Sequence, residues 1–392
     1  MKYRCEVLIV GAGPAGISLA FYLSGEGIEC VLIDKKKRID TPLRCAEYVP
    51  AAIGGLFKGP MPGISCSMAS MDTYIDYKYA NTIASPGFIL DRPVFLQSLV
   101  DDFISSGGKF MSGTRAVSFI LQNNDRGGDD GTVSTIIQGP DGEKSTIRSR
   151  IVVGADGPNS IVGKHIGNTY PFYIIGLGEN IPIEAKDKSK TLIFFSPEIE
   201  SGYGWLFPKE GSTNLGIGCQ FAGNRKNINK TLRKIYIDFK KNLFSMDLLE
   251  LSGSMARLSP PVEASFTAGL IPASGMPEKT VSGSFILAGD AAGLTNPITG
   301  AGIYNAVVSS KIISDIAVKA LKNSDMGLLP DIERQYLDIF GQSLQRAVLK
   351  RKELAGKWPG KNSRNMNDPG SFDALVRHHW VSFKDYWKPV QK

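Results

Sequence analysis

The chain changes its hydrophobic rhythm several times, and each change predicts an element. An unbroken apolar run, Val7-Leu-Ile-Val10, reads as a strand buried on both faces. It enters the glycine-rich turn Gly11-Ala-Gly13-Pro-Ala-Gly16, and Ile17 to Leu23 then continues as an apolar helix. A second buried strand, Cys30-Val-Leu-Ile, ends in Asp34, and a third apolar run, Phe285-Ile-Leu-Ala, ends in Gly289-Asp290. Between them the pattern turns to alternation: Met71-Asp-Thr-Tyr-Ile-Asp-Tyr77, Thr191 to Phe195 and Asn214 to Gly218 read as strands of an antiparallel platform. Asn123 to Gly131 reads as a hairpin loop. Ile332 to Leu349 has helical amphipathic spacing, and the tail mixes aromatics with Lys and Arg around His378-His379-Trp380 and Tyr386-Trp387.

Strand, glycine turn, helix, strand and acid in that order define a dinucleotide site. Gly11 permits the tight turn, Gly13 and Ala15 lie where backbone meets pyrophosphate, and Gly16 lets helix and strand pack closely. The phosphates face the positive end of the helix, and Asp34, eighteen residues after Gly16, is suited to the adenosine ribose. Two further motifs separate FAD from NAD. Gly289-Asp290 followed by Gly300-Ala-Gly302-Ile303 resembles FAD enzymes of the glutathione-reductase and hydroxylase type, which implies an acid at the ribityl chain and a helix N-terminus at the flavin ring. Gly154-Ala-Asp156-Gly157 resembles the Asp-Gly motif of flavin hydroxylases. Taken singly, a Gly-Asp pair is an ordinary turn; three ordered motifs point to FAD. The expected fold is α/β: a discontinuous Rossmann-like FAD-binding domain (1–71, 91–167, 282–325), an inserted antiparallel substrate domain (72–90, 168–281) and a helical C-terminal region (326–392).

Tyr203-Gly-Trp205-Leu-Phe207-Pro208, then seven residues, then Gly216-Ile-Gly218, resembles the substrate-domain signature of the geranylgeranyl reductase family, flavoproteins that hydrogenate isoprenoid double bonds. The family's P-x-x-C-G hallmark is kept in part as Pro42-Leu-Arg44-Cys45-Ala46, with alanine replacing glycine and Tyr48 where relatives often carry glycine. Ala46 is strained only if its φ is positive, and Tyr48 implies a reshaped pocket. The resemblance implies that Cys45 lies beside flavin and substrate channel, gating it or helping deliver a proton. It implies that Tyr48, Tyr203, Trp205 and Phe207 wall an apolar tunnel, with Gly216 and Gly218 admitting close strand approach. Trp205 and Phe207 read equally as sheet core, and Cys45 as an inert buried thiol. Arg92 matches the arginine ahead of an apolar-faced helix and is expected at the FAD pyrophosphate or ribityl region, or simply opening that helix. The implied FAD cage is Gly11, Gly13, Ala15, Gly16, Asp34, Arg44, Cys45, Ala46, Arg92, Ala116, Asp290, Gly302 and Ile303. Electrons are expected from reduced ferredoxin or NAD(P)H. A flavin monooxygenase and a flavin electron-transfer or quinone-docking protein are the alternative classes.

Composition narrows this picture further. The 392 residues suffice for two cores, and the net charge of +7 is spread along the chain, with basic groups at Lys35–Arg38, Arg225-Lys226 and Arg346–Lys352. These groups read as solvated surface or as attraction to a membrane surface or acidic carrier; without a binding module, nucleic acid is not expected. Five cysteines without C-x-x-C spacing and three histidines give no expectation of a metal, and His165 is expected to pack near the Asp-Gly loop. With no apolar stretch of eighteen residues, a cytoplasmic protein, peripherally attached at most, is expected. The tail is expected over the chain's own channel or against a partner, with an interfacial anchor as the other reading.

Overall fold

The apolar run at the N-terminus becomes the central strand of a parallel sheet. Strand Lys2–Val10 lies between Cys30–Asp34 and Lys144–Gly154, parallel to both; Lys109–Ser112 extends one side and Phe285–Leu287 the other. A hairpin of Arg115–Asn123 and Asp129–Gln138 is attached through Lys144–Gly154. The computed structural model describes residues 2–43, 45–123, 129–220, 228–250, 266–359 and 369–388. Arg44, Arg225-Lys226 and residues 124–128 of the expected hairpin loop lie outside them.

Four strands of this sheet end at one edge in the residues singled out above. Lys2–Val10 runs into Gly11, Cys30–Asp34 ends on its acid, Lys144–Gly154 runs into Asp156, and Phe285–Leu287 into Asp290. Ligands of open α/β sheets bind outside such carboxyl ends. Close packing holds the edge together. Gly11 sits at φ +106°, and a Cβ there would lie 2.3 Å from the Ala155 carbonyl oxygen; a Cβ on Gly16 would lie 1.8 Å from the Gly11 oxygen. Helix Pro14–Gly25 thereby descends directly onto the sheet and against helix Ile303–Lys322, where Ser310 donates 2.7 Å to the Ala15 carbonyl.

Among the described residues the second sheet has eight strands, in the order Thr267–Pro272, Tyr173–Ile181, Ser212–Cys219, Tyr203–Lys209, Lys190–Phe195, Ile64–Ile75, Lys78–Leu90, Tyr48–Pro50. It is mixed rather than purely antiparallel, because Lys190–Phe195 runs parallel to Ser70–Ile75. Its first strand by sequence is Tyr48–Pro50, ahead of residue 72, where the alternating pattern becomes visible. Ile64 to Ser70 carries mostly small and polar residues, so the hydrophobic period is weak there, and the pairing with Lys78–Leu90 shifts register between Ile64 and Cys66 and between Met68 and Ser70.

Helices Asp331–Tyr336, Gln342–Lys357 and Pro369–His379 follow the FAD-side helix. They do not stand apart from the second sheet. Phe372, Val376, Trp380, Phe383 and Tyr386 share one apolar core with Met71, Ile193, Phe195, Trp205 and Phe207. Buried polar contacts fix the register: Thr73 and Ser382 hydroxyls meet at 3.1 Å, and Asn81 donates 2.9 Å to the Ser382 carbonyl. Among the described residues no helix is long and apolar enough to cross a membrane.

Candidate active site

A single cleft of about 1120 Å³ runs from the carboxyl edge of the first sheet to the face of the second. At its nucleotide end the wall is mostly backbone. Gly11, Gly13, Ala15, Asp34, Ala116, Asp290, Gly302 and Ile303 all line it, whereas Gly16 lies behind the turn, packed on Gly11. A Cβ on Gly13 would meet nothing, so this backbone is open to a ligand's close approach. Two long helices begin here, Pro14–Gly25 and Ile303–Lys322. Neither has a side-chain cap or an acid in its first turn. Their N-terminal N–H groups and positive dipole ends are therefore left for an anion and for an electron-rich ring.

The acids of this end are held rigidly with acceptor capacity to spare. Each Asp34 oxygen accepts one backbone N–H at 2.6 Å, from Ala12 and from Lys36. Asp156 accepts from Ile161 N–H at 2.7 Å through one oxygen, while the other is buried without a partner among the described residues. Burial pushes the Asp156 carboxyl above the usual carboxylate range, as it does Asp290, where the Thr295 hydroxyl and the charge of Arg92 work against the shift. Open backbone at Gly13, two uncapped helix ends and an orphaned acceptor fit a dinucleotide such as FAD.

Midway, a buried ionic cluster joins the two sheets. Arg92 opens helix Arg92–Ser105, faces the cleft and forks onto Asp40, with Nε to Oδ2 at 2.6 Å and Nη2 on Oδ1. Arg92 therefore opens its helix, as one reading expects, and its charge is already matched by Asp40. Glu47 accepts Arg92 N–H at 2.9 Å through one oxygen and the Lys209 ammonium at 2.7 Å through the other. Burial raises the Glu47 carboxyl, and Lys209 opposes the rise. The left-handed backbone conformation falls on Glu47, φ +66°, not on Ala46, so alanine in place of the family glycine carries no such strain. Cys45 lines the cleft and its sulfur accepts Glu47 N–H at 3.2 Å; burial, only partly offset by Arg92, pushes its thiol up, leaving it protonated at neutral pH.

At the far end the wall is side chain. Tyr203, Trp205, Phe207 and Tyr48 line the cleft, and Trp205 and Phe207 also belong to the sheet core, so the two readings describe one pair of residues. Hydrogen bonds aim the rings. The Trp205 indole donates 2.7 Å to Asn214, whose amide donates 3.1 Å to the Cys45 carbonyl; Tyr203 donates to the Thr299 carbonyl, and Tyr48 meets the Ser85 hydroxyl at 2.8 Å. Gly218 lines the cleft; Gly216 does not, but a Cβ there would stand 2.0 Å from the Trp205 ring, so its bareness is what seats that ring. His165 packs between Phe119 and Phe285, at 5.0 and 4.7 Å, after the Asp-Gly loop.

Several site residues carried no signal in the sequence. Asp40, Glu47 and Lys209 are acids and a base in unremarkable contexts; Asp40 meets Arg92 across 52 positions and Glu47 meets Lys209 across 162. Lys209 does follow the aromatic signature directly, which is the one available hint. Arg351, Trp380 and Val381 reach the cleft from the tail. Elsewhere in the tail, Glu353, His378 and His379 bring ligand-type atoms within 4.8 Å of one another, but Lys350 Nζ is already 2.9 Å from His378 Nε2 and Lys357 holds Glu353 at 2.6 Å.

A two-sheet flavoprotein, with a dinucleotide edge facing an aromatic wall across one cleft, is the class these features define. The sequence profile of the FAD binding domain family matches residues 4–47 and 91–313. The chain is 30% identical over 341 residues to digeranylgeranylglycerophospholipid reductase 3 of Methanosphaera stadtmanae, covering 82% of this chain and 79% of that protein. It is 29% identical over 361 residues to digeranylgeranylglycerophospholipid reductase 2 of Methanococcoides burtonii, covering 89% and 82%. The fold matches a geranylgeranyl bacteriochlorophyll reductase-like protein from Thermoplasma acidophilum with a TM-score of 0.76 over 97% of both chains, at 21% identity. The chain belongs to the FAD binding domain family, and within it to the geranylgeranyl reductase flavoproteins.

Proposed function

We propose that the protein reduces carbon–carbon double bonds of an isoprenoid chain carried by a lipid or related hydrophobic substrate. The observation that carries this reading is the continuity of the cleft: the dinucleotide edge and the wall of Tyr48, Tyr203, Trp205 and Phe207 bound one space, with Cys45 between them. When bound and reduced, FAD supplies a hydride equivalent, which an isolated alkene accepts only if it is held close and a proton reaches its other carbon. Residues Gly11, Gly13, Ala15, Asp34, Ala116, Asp156, Asp290, Gly302 and Ile303 would hold it.

The remaining work falls to side chains. The aromatic wall and the adjoining Met71, Ile83 and Ile193 offer an apolar bed for a prenyl chain and exclude water. Asn214 fixes the Trp205 ring and, through the Cys45 carbonyl, ties that ring to the thiol segment. The Cys45 thiol, neutral at physiological pH, is assigned proton delivery to the second alkene carbon, with resupply from solvent. The Tyr203 phenol is also protonated, but its hydrogen is committed to the Thr299 carbonyl. The names of the relatives, which describe reductases of digeranylgeranyl lipids, support the substrate class.

The test is anaerobic. Holoprotein reduced with dithionite is mixed with geranylgeranyl lipids, and products are analysed by mass spectrometry. Gain of two hydrogens per double bond, together with flavin reoxidation, supports the reading. Flavin that stays reduced until oxygen or a quinone is added shifts the assignment to a monooxygenase or an electron-transfer protein.

A further inference from the structure

Among the described residues, the cleft wall contains a cation with no counter-ion. Arg351, on helix Gln342–Lys357, is 2% exposed and lines the cleft. Its Nε and Nη2 are buried without a hydrogen-bond partner among the described residues. The other buried cations among the described residues that face the cleft or its ionic cluster are matched: Arg92 by Asp40, Lys209 by Glu47. The titratable groups that act on Arg351 are Cys219 and Tyr203, and both are held protonated by burial, the Cys219 thiol pushed up to about 12. Neither neutralises a guanidinium. Burial correspondingly draws Arg351 down to about 10, which still leaves it charged at neutral pH. A second donor on the same wall is also unsatisfied. Trp380, 3% exposed, lines the cleft with its ring centroid 5.0 Å from that of Tyr203, and its indole Nε1 has no partner among the described residues.

Burying an unpaired charge is costly, and an unpaired buried donor adds to that cost, so such groups persist where a ligand completes them. Two donors, one of them cationic, on an aromatic wall call for an anionic oxygen group on an otherwise hydrophobic molecule. Planar guanidinium geometry suits both phosphate and carboxylate. We propose that the substrate brings a chain-borne phosphate or carboxylate inside the cleft, where Arg351 binds it and the Trp380 indole N–H assists. This deepens the reductase reading and rests on it: it states the charge the substrate carries and where that charge sits. A substrate whose anionic group remains outside, at a lipid surface, would leave both donors unpaired.

The experiment is calorimetric titration of holoprotein with dodecyl phosphate, dodecanoate, dodecanol and inorganic phosphate. Wild type is expected to bind one or both anionic amphiphiles about 10- to 100-fold more tightly than dodecanol, the worth of a charge-assisted hydrogen bond. The tighter of the two names the group. Arg351→Met is expected to abolish the preference, and Trp380→Phe to reduce it about fivefold, the worth of one neutral hydrogen bond. Equal binding of all three amphiphiles by wild type, or a preference that survives Arg351→Met, overturns the proposal. Inorganic phosphate binding as tightly as dodecyl phosphate overturns its chain-borne part. Melting temperature is an independent readout. Without ligand, Arg351→Met is expected to melt higher than wild type because an uncompensated charge is gone; a lower melting point means the protein itself supplies a partner, and the proposal fails. Reduction of geranylgeranyl phosphate and of the corresponding geranylgeranyl carboxylate is assayed alongside. Its absence with the anion preference intact defeats the reductase reading alone, and loss of the preference with reduction intact defeats this one alone.

Discussion

The two ends of the cleft are built from different material. The nucleotide end is backbone: a bare Gly13, a left-handed Gly11 and two uncapped helix ends. The other end is side chain: aromatic rings, a buried ionic cluster and a tail helix. A backbone site depends on where the chain can turn and how closely it can pack, so it tolerates few residue types and writes itself into local spacing. A side-chain site needs only that groups from distant segments arrive together. Its members can be ordinary residues in ordinary surroundings.

Substitutions at the two ends should therefore fail differently. The largest effect is expected from Gly11→Ala, which meets both a positive φ and a backbone oxygen 2.3 Å from the new Cβ. A penalty on the order of 3 kcal/mol or more from strain alone should leave protein that is unfolded or purifies without yellow colour, read by visible absorbance and circular dichroism. Retention of full flavin content would show that the turn is not the tight one described.

At the junction, Lys209→Met strands the Glu47 carboxylate in a buried site. Breaking such a pair costs about 3–5 kcal/mol, so the melting temperature should fall clearly while flavin remains bound at low temperature. An unchanged melting point would remove the ionic cluster from the account.

On the aromatic wall, Gly216→Ala drives a methyl into the Trp205 ring without touching a nucleotide contact. Flavin content should be normal and alkene reduction slower by about 100-fold, the scale of a displacement near 1 Å at a reacting centre. A variant that loses flavin instead would collapse the distinction between the two ends.

The smallest effect concerns pH. The Cys45 thiol is raised above its ordinary value of 9.0 in the folded protein, so it keeps its proton as pH climbs through the neutral range and loses it only above that value. Single-turnover reduction should be flat across about pH 6 to 8 and decline only beyond the ordinary thiol range. A decline already complete near neutral pH would contradict proton delivery by this thiol.

The same contrast explains what was legible in the sequence. The parallel sheet and its motif-bearing edge could be read because Gly11, Gly13, Gly16, Asp34 and Asp290 each stand at a strand end whose apolar run is unbroken. Strand Ile64–Ile75 was visible only from Met71 onward, since its first half pairs through backbone with little hydrophobic alternation. The aromatic signature could be read as a wall, but not the bareness of Gly216 as the seat of Trp205, which requires knowing which ring lies over it. The condition for strain at Ala46 is not met, because the turn puts its positive φ on Glu47, which residue types alone do not reveal. Arg351 looked like part of a solvated basic run, Arg346 to Lys352; helix Gln342–Lys357 turns it inward by its position on the buried face, beside Ala347 and Leu354. Residue type does not distinguish it from Arg346 or Lys352; only its helical spacing to Ala347 and Leu354 does.

The measurement that bears most directly on the central claim is a stopped-flow single turnover of the reduced holoprotein with a geranylgeranyl lipid under anaerobic conditions, quenched in parallel for mass spectrometry. Flavin reoxidation and appearance of the hydrogenated chain should share one rate constant, slowed together in Gly216→Ala. Reoxidation without hydrogenated product, or a flavin that the lipid leaves reduced, would contradict the claim that the two ends of the cleft perform one reaction.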